Sequence, residues 1–107
     1  MREAEVYRNG KLVGRLIEHN PKDYEFRYDK SWFENTAKPA VSLTLPKKKR
    51  VYKSKFLFPF FFNMLSEGVN RQLQSRQYKI DENDHFGLLL ATAGEDTIGP
   101  VTVKEIK

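Results

Sequence analysis

Few residues in this chain have the types and spacing that chemistry requires. There is no cysteine, which excludes a disulfide framework and a thiolate metal site. The two histidines, His19 and His85, fall in separate predicted turns without a carboxylate at ligand spacing, so each is interpreted as a surface or capping residue. Asp96 is interpreted as closing a turn before the last strand, not as a metal ligand.

Nucleotide-binding and hydrolytic motifs are equally scarce. Neither G-x-x-x-x-G-K-[ST] nor G-x-G-x-x-G occurs, and the six glycines form no phosphate-binding loop. Many serines and aspartates accompany the two histidines, so compatibility with a Ser-His-Asp triad carries no information. We therefore expect a protein that is not an enzyme and that holds no cofactor and no metal.

A basic run is the most strongly charged feature. Within residues 47–55, which contain no acid, lie Lys47, Lys48, Lys49, Arg50, Lys53 and Lys55. These six charges exceed the net charge of +5 for the whole chain. We interpret the run as a solvated loop beside a strand edge, where lysines discourage pairing with other chains. The alternative is contact of residues 47–50 with nucleic acid, and Tyr52 is the only aromatic residue interleaved with the run.

An aromatic block follows the basic run. Five of its seven residues are phenylalanine: Phe56, Phe58, Phe60, Phe61 and Phe62. We predict a helix over about residues 56–65, with Ser54 as a cap and Gly68 as the stop. Three consecutive helical residues sweep about 200° of the circumference, so one sheet cannot cover every ring. Either another helix covers the remainder, or the block forms a protein-binding face.

Turn signals and alternation predict the elements that position these residues. Asn9-Gly10 predicts a type I′ hairpin between strands at about residues 4–8 and 11–17. Period-two alternation predicts further strands over residues 24–28, 41–45 and 101–104. Residues 29–33 are interpreted as a helical turn. Two short helices are predicted over about residues 70–77 and 86–93, the second with Asp84 as N-cap and Gly94 at its end.

Together these elements predict an α+β fold. We expect a single domain over residues 1–107, with an antiparallel sheet of about five strands, curled toward a partial barrel, and short helices packed on it. No apolar run approaches the roughly 20 residues needed to span a bilayer. The N-terminus lacks the pattern of a signal peptide. We expect a soluble cytoplasmic protein.

Four segments of the chain are close to sequence patterns that occur together, in this order, in one known family. Residues 60–68, Phe-Phe-Phe-Asn-Met-Leu-Ser-Glu-Gly, are close to FFxNLLPEG, and residues 84–89 match DxFxLL. Residues 94–100 are close to GxDxxGA, and residues 39–46 are close to P-x-S-L-S-L-P. In order and spacing the chain resembles the N-terminal subdomain of HipA-type kinases. Nearly the whole chain takes part in this resemblance.

The resemblance implies two settings. In HipA toxins the subdomain opens a Ser/Thr kinase that is held by a DNA-binding HipB antitoxin. In split HipBST systems it is a separate protein, HipS, which acts as antitoxin of the shortened kinase HipT. The chain begins with Met1 and ends at Lys107, where a kinase core would begin. We therefore expect an antitoxin that binds a HipT-like kinase in trans and inhibits it.

Three alternatives stay open. The chain is a subdomain that completes a kinase, or a piece of a longer one. It is an accessory subunit that touches DNA at most indirectly, beside a HipB-like partner, through Lys47, Lys48, Lys49 and Arg50. Or it is a solitary domain without a kinase partner.

Two departures from the family pattern focus the expected binding site. Ser66 replaces the proline of LPEG, and Phe62 replaces a polar residue, which adds apolar surface beside the loop. We expect a turn at residues 66–70 and its flanking residues to inhibit the kinase sterically. Glu67 is expected to pair with a basic group near the nucleotide site of the kinase. The residues predicted to bind the kinase are Phe61, Phe62, Leu65, Ser66, Glu67, Gly68, Val69 and Asn70.

Overall fold

One open antiparallel sheet organises the protein. The computed structural model describes residues 1–94 and 99–106. The strands pair in the order β4-β3-β2-β1-β5, which leaves β4 and β5 at the edges. The α+β fold with a five-stranded antiparallel sheet is confirmed. The strands are β1 (Arg2–Arg8), β2 (Lys11–Asn20), β3 (Asp23–Tyr28), β4 (Val51–Ser54) and β5 (Val101–Glu105).

Four short helices join the strands. They are α1 (Lys30–Glu34), α2 (Pro59–Phe62), α3 (Gly68–Tyr78) and α4 (His85–Thr92). The last two confirm the predicted helices over residues 70–77 and 86–93 to within two residues at each end. Asp84 caps α4 as predicted, because its Oδ1 accepts a hydrogen bond from the Gly87 N–H at 3.0 Å.

The turn between β1 and β2 fixes the register of the first hairpin. Asn9 and Gly10 have φ angles of 51° and 79°, the two positive values of the predicted type I′ turn. Arg8 pairs with Lys11 across it. The hairpin prediction is confirmed, and the turn makes β1 and β2 antiparallel neighbours in the sheet.

The hydrophobic core lies between one face of the sheet and helices α2 and α4. The strands contribute fully buried side chains such as Val6, Leu16 and Phe26. Phe61 from α2 packs against Phe26 with ring centroids 5.7 Å apart. Helix α4 buries four consecutive residues, from Phe86 to Leu89. These contacts fix both helices on the sheet.

The predicted strand over residues 41–45 is wrong. Val41 and Leu45 are buried, but Leu43 between them is 99% exposed. The Tyr28 hydroxyl accepts a hydrogen bond from the Val41 N–H at 3.0 Å and donates one to the Leu45 carbonyl. Both ends of the segment are thereby tied to one side chain, so the middle protrudes as a turn. The fourth strand is Val51–Ser54, inside the basic run, paired with β3.

The predicted helix over residues 56–65 is also wrong in extent. Only Pro59–Phe62 is helical, with proline in its first turn, where its fixed φ and missing N–H are tolerated. Ser54 does not cap it, since its Oγ accepts a hydrogen bond from the Phe56 N–H at 3.1 Å. Gly68 begins α3 and does not stop α2. Residues 95–98 of the 94–100 motif, including Asp96, lie outside the described residues.

Candidate protein-binding surface

Two of the eight residues predicted to bind a kinase lie in the core. Phe61 is fully buried and Leu65 is 6% exposed. These two residues belong to the sequence pattern because they pack in the core. The centroid of the Phe61 ring, for example, lies 6.5 Å from that of the Phe58 ring. These two side chains therefore support the surface from beneath, and contact with a partner falls to the other six.

The remaining predicted residues form one continuous surface from the end of α2 to the first turn of α3. Glu67, Gly68, Val69 and Asn70 are exposed, whereas Phe62 and Ser66 are half-buried. Val69 is 69% exposed. We call the set comprising Phe62, residues 66–70 and Leu73 the α2–α3 surface.

Leu73 belongs to this surface although it was not among the predicted binding residues. It is 54% exposed and follows Val69 by four positions in α3, which places both side chains on the same face of the helix. The rest of α3 is largely polar, and none of its eleven residues is buried. An apolar pair at a spacing of four in an otherwise polar helix is the sequence signal that would have identified Leu73.

Phe62 is held in place by two residues that sequence reasoning missed. His85, the first residue of α4, meets the Phe62 ring edge-on with centroids 5.0 Å apart. The Arg71 guanidinium lies 5.2 Å from the centre of the same ring. Arg71 Nε also donates a hydrogen bond to the Ser66 carbonyl at 2.9 Å. Arg71 thus connects Ser66, just before α3, to Phe62. The predicted turn over residues 66–70 is wrong in extent, because Gly68–Asn70 already belong to α3.

The N-terminus of α4 is fixed to the sheet by an ion-pair network. Arg2 from β1 donates to Glu18 Oε1 at 2.7 Å and to Asp84 Oδ1 at 2.8 Å. The hydrogen bond from Arg2 holds the pKa of Asp84 below its usual range. Burial, together with a hydrogen bond to Glu18, raises the pKa of Tyr24 to about 12. The network fixes the position of His85, and through it that of Phe62.

Two side chains of the basic run donate hydrogen bonds to backbone carbonyls elsewhere in the chain. Lys47 Nζ donates to the carbonyls of Asn35 and Lys38 at 2.7 and 2.9 Å. Arg50 Nε donates to the Tyr28 carbonyl at 2.9 Å. Lys48 and Lys49 are exposed, and the Lys49 ammonium lies 4.6 Å from the centre of the Tyr52 ring. Residues 51–54 of the run form edge strand β4 itself, so the interpretation as a loop beside a strand edge holds only for the residues that flank this strand. Contact of residues 47–50 with nucleic acid stays a prediction.

The two histidines are in different surroundings from those predicted. His19 lies in β2 and its Nε2 is 3.1 Å from Glu25 Oε1, so it is not a turn residue. His85 opens α4 against Phe62. Across the part of the chain that the structure describes, no group of three or more histidine, aspartate or glutamate side chains is placed to hold a metal ion.

Comparison with known proteins decides the family. The family model described as the HipA N-terminal domain matches residues 4–104. The chain belongs to this family. A solved structure of the N-terminal domain of HipA toxin superposes with a TM-score of 0.72 at 25% identity, covering 100% of this chain and 94% of that one. The resemblance drawn from the motifs is confirmed, and so is the HipA N-terminal fold.

Two curated relatives show the domain in different lengths of protein. An "Uncharacterized protein" of Haemophilus influenzae is 28% identical over 107 residues, which cover 100% of this chain and 95% of that protein. A Sinorhizobium fredii protein named "Putative kinase Y4mE" is 24% identical over 95 residues, 89% of this chain but 23% of that protein. The domain therefore makes up nearly all of one relative and less than a quarter of the other.

Within residues 1–94 and 99–106, no helix has both the length and the apolar character needed to cross a membrane.

Proposed function

We propose that this chain is a HipS-like antitoxin that binds a HipT-like Ser/Thr kinase in trans and inhibits it. The observation that carries the proposal is the α2–α3 surface on a HipA N-terminal domain. It presents Val69 and Leu73 to solvent from a helix that buries none of its own residues. The H. influenzae relative, of which this chain covers 95%, supports a form of the domain that acts apart from a kinase chain.

The physical basis for binding is apolar area together with pre-organisation. Burying apolar surface stabilises a complex by about 25 cal/mol per Å², and Val69, Leu73 and the free part of Phe62 supply such surface. Phe62 is already fixed by Arg71 and His85. A side chain that is ordered before binding loses less conformational entropy when a partner covers it.

The mechanism that fits this surface is steric. The segment of residues 66–70, which leads into α3 and includes its first residues, is exposed except for the half-buried Ser66. It enters the kinase near the active site or blocks its closure. Glu67 places a carboxylate beside the apolar pair, where it pairs with a basic group near the nucleotide site. Inhibition of this kind needs no catalytic group in the chain.

The experiment that tests the proposal is a neutralisation assay with surface variants. Phe62→Ser combined with Val69→Ser removes apolar area from both helices of the α2–α3 surface. We expect the toxicity of the kinase to return. Val69→Ser alone is the safer variant for folding because that side chain is 69% exposed. Leu43→Ser is the matched control, since it removes an apolar side chain that is 99% exposed in another loop. Normal rescue of growth by a double variant with the circular dichroism spectrum of the parent contradicts the proposal.

A second candidate function is completion of a kinase. It is favoured by the match to 23% of the S. fredii protein named as a kinase. In that case the chain raises activity or substrate binding when added to the kinase. Phosphorylation measured with and without the chain separates the two functions by the sign of the change.

A further inference from the structure

A cleft lies beside the α2–α3 surface, between the sheet and the start of α4. Its volume is about 650 Å³, which is large enough for a few side chains of a bound segment. Glu18 and Tyr24, both 7% exposed, form its buried lining, and the half-buried Arg2 lies beside them. Phe56 and Asp81 are exposed at its margin, and Phe62 lines both the cleft and the α2–α3 surface.

The cleft is acidic although the chain is basic. Its titratable lining comprises three carboxylates, Glu18, Asp81 and Asp84, one guanidinium, Arg2, the imidazole of His85 and the phenol of Tyr24. Arg2 is shared between Glu18 and Asp84, so it neutralises only one of them. Asp81 adds a further negative charge at the exposed margin. The excess of carboxylates in a chain of net charge +5 favours a cationic occupant.

The cleft also offers an apolar contact that the fold leaves uncovered. Phe56 is 77% exposed, and Leu57 and Phe62 line the cleft near it. An aromatic side chain exposed to this degree beside a concave site is the type of residue that anchors a partner. Acidic groups and an exposed aromatic ring within one cleft define the chemistry of the segment that fits it.

We propose that the cleft receives a segment of the partner kinase that carries lysine or arginine beside apolar side chains. The cation meets Asp81, the exposed carboxylate of the cleft, since both oxygens of Asp84 already accept hydrogen bonds from Arg2. The apolar side chains contact Phe56 and Phe62. The identity of the partner rests on the function proposed above, whereas the shape and charge of the cleft are independent of it. The cleft thereby extends the contact from the α2–α3 surface to the N-terminus of α4.

The test measures the dissociation constant of the chain and its kinase with two pairs of matched variants. Asp81→Asn removes the charge but keeps the Oδ1 that accepts a hydrogen bond from the Asn83 N–H. Its control is Glu82→Gln, the adjacent exposed acid, which does not line the cleft. Phe56→Ser removes the exposed ring, and Leu43→Ser is its control.

We expect Asp81→Asn to weaken binding by about three- to tenfold at low salt, and by less as salt screens the charge. We expect Phe56→Ser to weaken binding by about tenfold, and both controls to bind as the parent does. If the parent binds and both cleft variants match their controls, the cleft proposal is overturned while the proposed function stands. If only Phe56→Ser weakens binding, the cationic occupant is overturned. If the parent does not bind the kinase, both proposals fall.

Discussion

Gly87 lies where any side chain would collide with the cap of α4. A Cβ atom at this position would be 2.3 Å from Asp84 Oδ2 and 3.1 Å from Arg2 Nη1. The Asp84 side chain would have to move, and it carries both the helix cap and the bond to Arg2. The absence of a side chain at residue 87 is thus part of the network that positions His85.

We expect Gly87→Ala to lower the free energy of unfolding by about 1–3 kcal/mol, because overpacking a tight site displaces its neighbours. Chemical denaturation measures the change. Gly94→Ala is the control, since among the described residues its added Cβ would meet only the Val103 carbonyl, at an ordinary 3.6 Å. Equal stability of the two variants would show that Asp84 moves without cost.

Asp84 also makes stability depend on pH. The hydrogen bond from Arg2 holds the pKa of Asp84 below its unfolded value of about 4. Its contribution is therefore fully present above that unfolded value and is lost as pH falls through the lower folded value. We expect the melting temperature of the parent to fall below about pH 4 more steeply than that of Asp84→Asn.

Glu25 provides the background for that comparison. Burial opposes its ionisation, but hydrogen bonding to His19 and the charges of Arg27 and Lys53 lower its pKa overall. Protonation of Glu25 therefore also lowers stability as the pH falls, and it does so equally in the parent and in Asp84→Asn. The difference between the two pH profiles therefore reports Asp84, and parallel profiles would show that the Arg2 bond contributes nothing.

Among the elements, α3 differs most from the others in how it is stabilised. It is eleven residues long and none of its residues is buried, whereas β2 and β3 each bury several. Most helical stability in proteins comes from packing of an apolar face. Local opening should therefore need less free energy in α3 than in the sheet.

We expect amide hydrogens of α3 to exchange faster than those of β2 and β3 when the chain is alone. Hydrogen exchange with mass spectrometry measures this difference. Binding of the kinase should then slow exchange in α3 more than elsewhere, because the proposed contact covers this helix. Protection of α3 equal to that of β2 in the free chain would contradict the account of its stability.

The sequence predicted the elements whose signals are local. The Asn9-Gly10 turn, the alternation of residues 24–28 and the Asp84 cap each depend on neighbours along the chain, and each is confirmed. The segment 41–45 alternates equally well, but its shape is set by the hydroxyl of Tyr28, which lies thirteen or more residues earlier. Period-two alternation cannot reveal such a contact.

The candidate surface was predictable to a similar degree. Ser66 and Phe62 were found from their departure from the family pattern. Residues 67–70 were included with Ser66 as one turn, although Gly68–Asn70 are the first residues of α3. Phe61 and Leu65 were placed with them, although burial against Phe26 and the rest of the core removes both from the surface. Arg71, His85 and Phe56 became visible only in three dimensions, because their roles depend on how α2, α3 and α4 meet.

At the scale of the whole molecule, the features with proposed binding roles lie on the helical side. One face of the sheet is covered by α2 and α4, and the α2–α3 surface and the acidic cleft share Phe62 between them. The basic run includes edge strand β4, and two of its cations, Lys47 and Arg50, donate hydrogen bonds to backbone carbonyls elsewhere in the chain. This distribution favours a protein partner at the helices over nucleic acid at the sheet edge.

Co-expression with a candidate HipT-like kinase tests the central claim most directly. The complex is purified on a tag placed on the kinase, and phosphorylation is measured on the eluted material and on the kinase alone. We expect a stable complex in which the activity of the kinase is suppressed. A complex with undiminished or higher activity would contradict inhibition and indicate a subdomain that completes the kinase. Failure of the two chains to co-purify would contradict binding itself.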